Sequence, residues 1–213
     1  MNQAPIATLV IATHNRKKAG EMITILSRRF PDLELKTLAD FEGAPEPEET
    51  GHDYPANATI KSESAAEFTG EWSLADDAGL EIDFLDGAPG LYSKRFGGED
   101  LPFPEKIQMI LDLMKDAPSD ARGARFRCCV ALTPPYRMGP TETFIATCEG
   151  QIAESPSGAG GFGYDPIFYL PQLDCTMADL TPGQKHQISH RGKVLAQVSK
   201  YIENGCKPPN PIP

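Results

Sequence analysis

Nowhere does the chain approach the ~20 consecutive apolar residues that a membrane span needs, so no transmembrane segment is expected. No signal peptide is read over Met1 to His14, which lacks a basic start and a long apolar run before a cleavage site. Cysteine is sparse: Cys128, Cys129, Cys148, Cys175 and Cys206. The count is odd and no Cys-x-x-Cys occurs, which argues against a disulfide framework or a zinc site and for reduced thiols in a cytoplasmic protein. Basic residues are the minority, 20 Lys+Arg against 30 Asp+Glu, for a net charge of -10. That balance excludes a bulk nucleic-acid binder, and an anionic ligand would need a local basic site or a bound cation. No repeat and no domain linker is visible. The 213 residues are read as one domain over 1–206 with a Pro-rich tail over 207–213.

What is present is ordinary for a globular chain: 40% hydrophobic and 23% charged residues, with 20 Pro and 19 Gly that promise many defined turns. Ile6 to Ala12 is a nearly continuous apolar run and reads as a buried strand, parallel to its neighbours. Asn15 then stands as an N-cap before Ala19, Met22, Ile23, Leu26 and Phe30 at helical spacing. Leu33, Leu35 and Thr37 alternate as a second strand. Phe41 to Asp53 is an acidic loop. Pro55 opens a helix that ends near Gly70. Trp72 to Ala75 and Leu80 to Leu85 read as two short strands, and Asp86 to Gly90 as a turn. Pro104 opens a helix with Ile107, Ile110, Leu111 and Met114 on one face. Arg125 to Leu132 and Thr143 to Cys148 are expected to pair as a hairpin. Ser155 to Gly163 is a Gly-rich loop. Val194, Leu195, Val198, Tyr201 and Ile202 mark a last helix closed by Gly205. The mixture predicts α/β with a mixed sheet.

Four segments carry chemistry. The turn Thr13-His14-Asn15-Arg16-Lys17-Lys18 leaves a buried strand and enters a helix. Three cations in a first turn oppose the positive end of the helix, and an anion bound there would resolve the conflict. A solvated basic surface is the other reading. Asp76-Asp77-Ala78-Gly79 places adjacent carboxylates at a strand end, where alternation lets only one of them face a given site. Such a carboxylate suits Mg2+, which takes one or two protein carboxylates and completes its shell with water and phosphate. Glu46, Glu48 and Glu49 in the acidic loop are the second-ligand candidates; the plainer alternative is an Asx-turn beside a solvated loop. Gly160 to Pro166 presents Phe162 between glycines, either to stack on a flat ring or to join the core as a tight turn. Lys185, with Ser189-His190-Arg191, again aims cations at a helix start, unless these are a plain cap and surface charges.

Read together, these segments resemble the inosine triphosphate pyrophosphatase family of non-canonical purine nucleotide pyrophosphatases. The resemblance runs from Leu9 to about Ile202. It is carried by Ala12-Thr13-His14-Asn15 with Lys18; Glu49-Thr50-Gly51 with Asn57-Ala58 and Lys61; and Ala75 to Leu80. Gly87 to Ser93, Gly160 to Pro166, and Ser189 to Gly192 complete it.

The resemblance implies a mixed α/β fold with a long curved sheet, flanking helices and two lobes around a central cleft. It implies a Mg2+-dependent homodimer that hydrolyses dITP/ITP and XTP/dXTP to the monophosphate and pyrophosphate, cleansing the nucleotide pool. By the same resemblance, Thr13, His14, Asn15, Arg16, Lys17 and Lys18 cradle the phosphates with help from Lys61. Asp77 holds the metal with Glu48 or Glu49, and serves as or orients the general base. Ala78 lies beside the substrate. Phe162 stacks on the purine, Gly163, Tyr164 and Asp165 shape its pocket, and Lys185, His190 and Arg191 read the base or its attached groups. The chain departs from the family in carrying His14 where Gly is usual, which crowds the turn or adds a cation to it. It also carries Ala78 where Ser is usual, which removes a hydroxyl contact.

Overall fold

The structure is a computed structural model and describes residues 6–206; the tail reading over 207–213 lies outside them. Seven strands hydrogen-bond in the order β2-β1-β3-β4-β5-β6-β7. They are β1 Thr8–Ile11, β2 Glu34–Thr37, β3 Trp72–Ile82, β4 Gly123–Thr133, β5 Glu142–Ile152, β6 Phe168–Leu170 and β7 Cys175–Thr176. The helices are α1 Arg16–Arg29, α2 Tyr54–Thr69, α3 Phe103–Leu113, α4 Pro182–Ile188 and α5 His190–Glu203. β1 runs parallel to β2 and to β3, in keeping with its continuous apolar run. β6 is antiparallel to β5 and to β7, so the sheet is mixed.

Contacts divide the chain into two compact units. The first holds the residues up to Asp77, Cys128–Ala146 and those from Arg191 onward; the second holds Ala78–Arg127 and Thr147–His190. In the first, Val10, Ala12, Leu38, Ala65 and Ala75 form a buried apolar cluster. α1 is capped by Asn15 and buries Ala19, Met22 and Leu26 of the stripe its spacing predicts, with Ile23 and Phe30 half-buried. α2 has Pro in its first turn and ends on left-handed Gly70. In the second unit, Leu80, Ile82, Ile110, Met114, Phe126 and Phe168 lie in one buried cluster, to which α3 contributes its predicted face.

Two expectations need correction. Asp76 and Asp77 do not end a strand. β3 is one eleven-residue element through Trp72–Ile82, and the carboxylates sit in its middle. Their poor strand propensity is overridden because side-chain partners satisfy both, so the ladder continues. The second short strand stops at Ile82, and Asp83–Leu85 is a 3-10 turn. Besides β6 and β7, one helix is absent from the sequence reading: α4, only seven residues long. Its signature is nonetheless written in Thr181-Pro182-Gly183-Gln184, a capping box with Pro in the first turn.

Candidate active site

In the first unit the candidate side chains come from five segments. The Asn15 side chain caps α1, accepting from the backbone N–H groups of Lys17 at 3.0 Å and Lys18 at 3.2 Å. The Thr13 hydroxyl accepts from the Asn15 N–H at 3.2 Å, tightening the turn. Two of the helix's orphan donors are therefore already used by the cap. His14, Arg16 and Lys17 are exposed. Lys18 instead turns back on the sheet, its Nζ 3.3 Å from Asp76 Oδ2.

Asp76 is fully buried and forms a hub. The Arg191 guanidinium donates to its Oδ2 through Nη2 at 2.9 Å and Nε at 3.3 Å, and donates through Nη1 to Glu21 Oε2 at 2.7 Å. The Cys128 Sγ lies 4.0 Å from the same carboxylate oxygen. Burial opposes ionisation of Asp76, but the Lys18, Arg191 and Lys61 cations outweigh it and hold the carboxyl well below its usual range.

Asp77 keeps different company. Its Oδ2 accepts from Asn57 Nδ2 at 3.2 Å, and its Oδ1 lies 3.4 Å from Lys61 Nζ. Lys61 also donates to Glu49 Oε1 at 2.8 Å, so one ammonium is shared by two carboxylates. Burial raises the Asp77 carboxyl above its ordinary value, and the nearby Lys61 and Lys18 charges do not cancel that rise. For Lys61 burial works to lower the ammonium, but Asp77, Asp76 and Glu49 reverse it and the net direction is up.

These donors suit a hard divalent cation. Among the described residues no three His, Cys, Asp or Glu side chains gather as a ready-made cage. Mg2+ needs no such cage, because one or two carboxylates with water and substrate phosphate complete its shell. Asp77 and Glu49 already converge on a positive charge. Glu48 and Glu46 are exposed.

In the second unit, residues 160–166 form a tight loop. Gly161 and Gly163 have φ of +68° and +66°; a Cβ at Gly161 would lie 2.1 Å from Asp165 Oδ2. That oxygen accepts from the Phe162 N–H at 2.8 Å and from Lys185 Nζ at 2.7 Å. The Lys185 ammonium sits 4.6 Å from the centroid of the Phe162 ring, a cation–π distance. Tyr164 is buried, donates its hydroxyl to the Ser93 carbonyl at 2.8 Å and packs edge-on against Phe103. Burial pushes its phenol up. His190 is buried with its ring 4.8 Å from that of Phe126. Ala78 is half-buried on β3.

The residues named from sequence thus fall into two groups. Lys18, Lys61, Glu49, Asp77 and Arg191 belong to the first unit, while Phe162, Tyr164, Asp165, Lys185 and His190 belong to the second. Three residues that the sequence reading did not put in a site are woven into these groups: Glu21, Asn57 and Ser93. The signal for Asn57 and Ser93 was their place inside quoted motifs; Glu21 carried none.

Comparison with known proteins gives consistent matches. A model described as the Ham1 family matches residues 9–201. A dITP/XTP pyrophosphatase of Exiguobacterium sibiricum is 45% identical over 194 residues, which are 91% of this chain and 96% of that protein. One of Halalkalibacterium halodurans is 44% identical over 194 residues, 91% of this chain and 98% of its own. Among solved structures, a HAM1 protein from Coxiella burnetii aligns with a TM-score of 0.84 at 38% identity, covering 93% of this chain and all of that one.

Proposed function

Because the chain belongs to the Ham1 family, we propose that it hydrolyses the deaminated purine nucleoside triphosphates for which its relatives are named, dITP and XTP. The products are the nucleoside monophosphate and pyrophosphate, and the role is removal of damaged purines from the nucleotide pool. The observation that carries this reading is the pairing of Asp77 with Lys61 and Glu49 beside the Lys18–Asp76–Arg191 cluster. It joins carboxylates for a divalent cation to cations for a polyphosphate.

Asp77 and Glu49 would hold Mg2+. Bound there, Mg2+ supplies neutralisation of phosphate charge and activation of water. Lys18 and Lys61 bring positive charge to the phosphoryl oxygens, where charge builds during transfer. Thr13 and Asn15 set the turn that aims Lys18, and His14, Arg16 and Lys17 add exposed positive charge around it. Asp77, whose carboxyl is raised by burial, takes or orients the proton of the attacking water. Phe162 offers its ring to the purine, backed by Lys185 and held by Asp165. Tyr164 anchors the loop through its bond to the Ser93 carbonyl. His190 supplies the donor for the 6-oxo group, while Arg191, whose Nε, Nη1 and Nη2 donate to Asp76 and Glu21, anchors the segment that carries it. Adenine presents an amino group there, and a site built on such a bond rejects the wrong group by about 10⁴-fold.

The same reading extends to a homodimer working in the cytoplasm. Among the described residues no helix is long and apolar enough to cross a membrane. Sedimentation at micromolar protein tests the dimer, and a monomer would remove that part.

The test of activity is pyrophosphate release from dITP, XTP, dGTP and dATP, each with Mg2+ and with chelator. Metal-dependent release from dITP and XTP alone is expected. Equal release from all four would retain the reaction and discard the cleansing role. No release, with dITP still bound, would make the protein a nucleotide sensor.

A further inference from the structure

We infer that Asn57 is a positioning residue that sets both candidate metal ligands through a single amide. The inference rests on the Mg2+ reading above and adds to it a residue that touches neither metal nor substrate.

Asn57 lies in the first turn of α2 and is 2% exposed. Its Nδ2 donates to Asp77 Oδ2 at 3.2 Å, and its Oδ1 accepts the backbone N–H of Gly51 at 2.8 Å. The orientation of the amide follows from its partners. A backbone N–H can only donate and an ionised carboxylate can only accept, so the oxygen must face Gly51 and the nitrogen Asp77. No other side chain of this size offers both. Aspartate has no donor for Asp77 and leucine has neither group.

Each contact fixes one ligand. Lys61, four residues on and so on the same face of α2, lies near Asp77 Oδ1. Asn57 holds Oδ2, so the two oxygens of Asp77 are held separately from two successive turns of one helix. At its other end, Asn57 pins the chain at Gly51, two residues after Glu49. The approach is close: a Cβ at Gly51 would lie 2.6 Å from Asn57 Oδ1, 2.7 Å from Ala56 Cβ and 2.8 Å from Asn57 N. Only glycine fits there without displacing the amide. The start of α2 is itself fixed, since the Asp53 side chain accepts from the Ala56 N–H at 2.8 Å. Asn57 therefore cannot drift with the loop; the loop must come to it. This gives a physical reason for the spacing Glu49-x-Gly51 followed by Asn57 and Lys61. Outer partners that orient ligating carboxylates commonly set metal affinity.

The experiment uses the whole chain without nucleotide and Mn2+ as a spectroscopic probe, titrated by electron paramagnetic resonance. Wild type, Asn57→Ala and Gly51→Ala are compared, with melting temperatures in chelator as the check on folding. Both variants should bind Mn2+ about 10–100-fold more weakly. Their apparent Mg2+ activation constant for dITP hydrolysis should rise, while kcat returns toward wild type as Mg2+ saturates. A residue that only supports the fold would not be rescued by metal. If Asn57→Ala does not fold, Gly51→Ala carries the test alone. Unchanged Mn2+ affinity in a folded variant, with wild type binding normally, overturns the positioning role and leaves the activity standing. Chelator-insensitive dITP hydrolysis by wild type overturns the metal reading and this inference with it; where wild type holds Mn2+ only with substrate phosphate present, the activation constants decide.

Discussion

Asp76 and Asp77 are neighbours in sequence but meet different surroundings on the two faces of β3. Strand alternation sends Asp76 toward Lys18 and Arg191 and Asp77 toward Asn57 and Lys61. Both are desolvated. Asp76 has cations in excess and is held below its ordinary carboxylate range. Asp77 shares its nearest cation with Glu49 and is pushed above its ordinary value. The lesson is that burial alone does not decide a carboxylate's state; the local charge count does. Asp76 is a buried anchor whose charge Lys18 and Arg191 more than meet. Asp77, on the function proposed above, is the carboxylate whose burial a divalent cation would offset.

The strongest way to break the comparison is to neutralise each side. Asp77→Asn should lower kcat for dITP by roughly 10²–10⁴-fold, with folding intact by circular dichroism. Near-normal turnover in that variant would sink the assignment. Asp76→Asn should act on stability, because Arg191 and Lys18 lose their buried counter-charge; a loss of about 3–5 kcal/mol in urea unfolding is expected. A loss no greater than that of Asp77→Asn would mean the two faces are equivalent.

Titration sharpens the same contrast. With chelator present, Asp76 stabilises the fold fully above its unfolded pKa, about 4, and that contribution drains away as pH falls toward its lower folded value. Asp77 has the opposite sign. Its raised folded pKa costs nothing below about 4, and the cost grows as pH rises through the folded value. Urea midpoints from pH 3 to 7 should show Asp77→Asn gaining on wild type as pH rises. Over the acid end of the range Asp76→Asn should lose the wild-type slope. Parallel curves for both variants would refute the assignment of opposite shifts.

Smaller effects are expected away from β3. Gly161→Ala forces a left-handed backbone and drives a Cβ into Asp165 Oδ2, costing about 1–3 kcal/mol and raising KM for dITP more than it lowers kcat. Asn15→Ala removes the α1 cap at about 1 kcal/mol, visible as a drop in melting temperature.

Much of this was readable in advance where local rules dominate. The Asn15 cap, the Pro55 start and Gly70 stop of α2, and the apolar face of α3 follow from backbone chemistry within one or two turns. The continuity of β3 was not readable, because two aspartates and a glycine look like a strand end until their partners are known. Nor was α4, whose seven residues are too few for periodicity to speak. Among the candidate site residues, Asp77, Lys18 and Lys61 stand out by type and motif. Glu21 does not, since an acidic residue on a helix face reads as solvated until Arg191, 170 positions away, is brought to it.

The amino-acid sequence by itself determined which backbone segments turn, cap and pair, and which charged residues are available, since these depend on neighbours a few positions apart. Only the tertiary structure decided how those charges are shared: Asp76 between Lys18 and Arg191, Lys61 between Asp77 and Glu49, one amide between Asp77 and Gly51. Those partners come from separate segments of the chain. Their energies depend on distance and desolvation, quantities that exist only once the chain has folded.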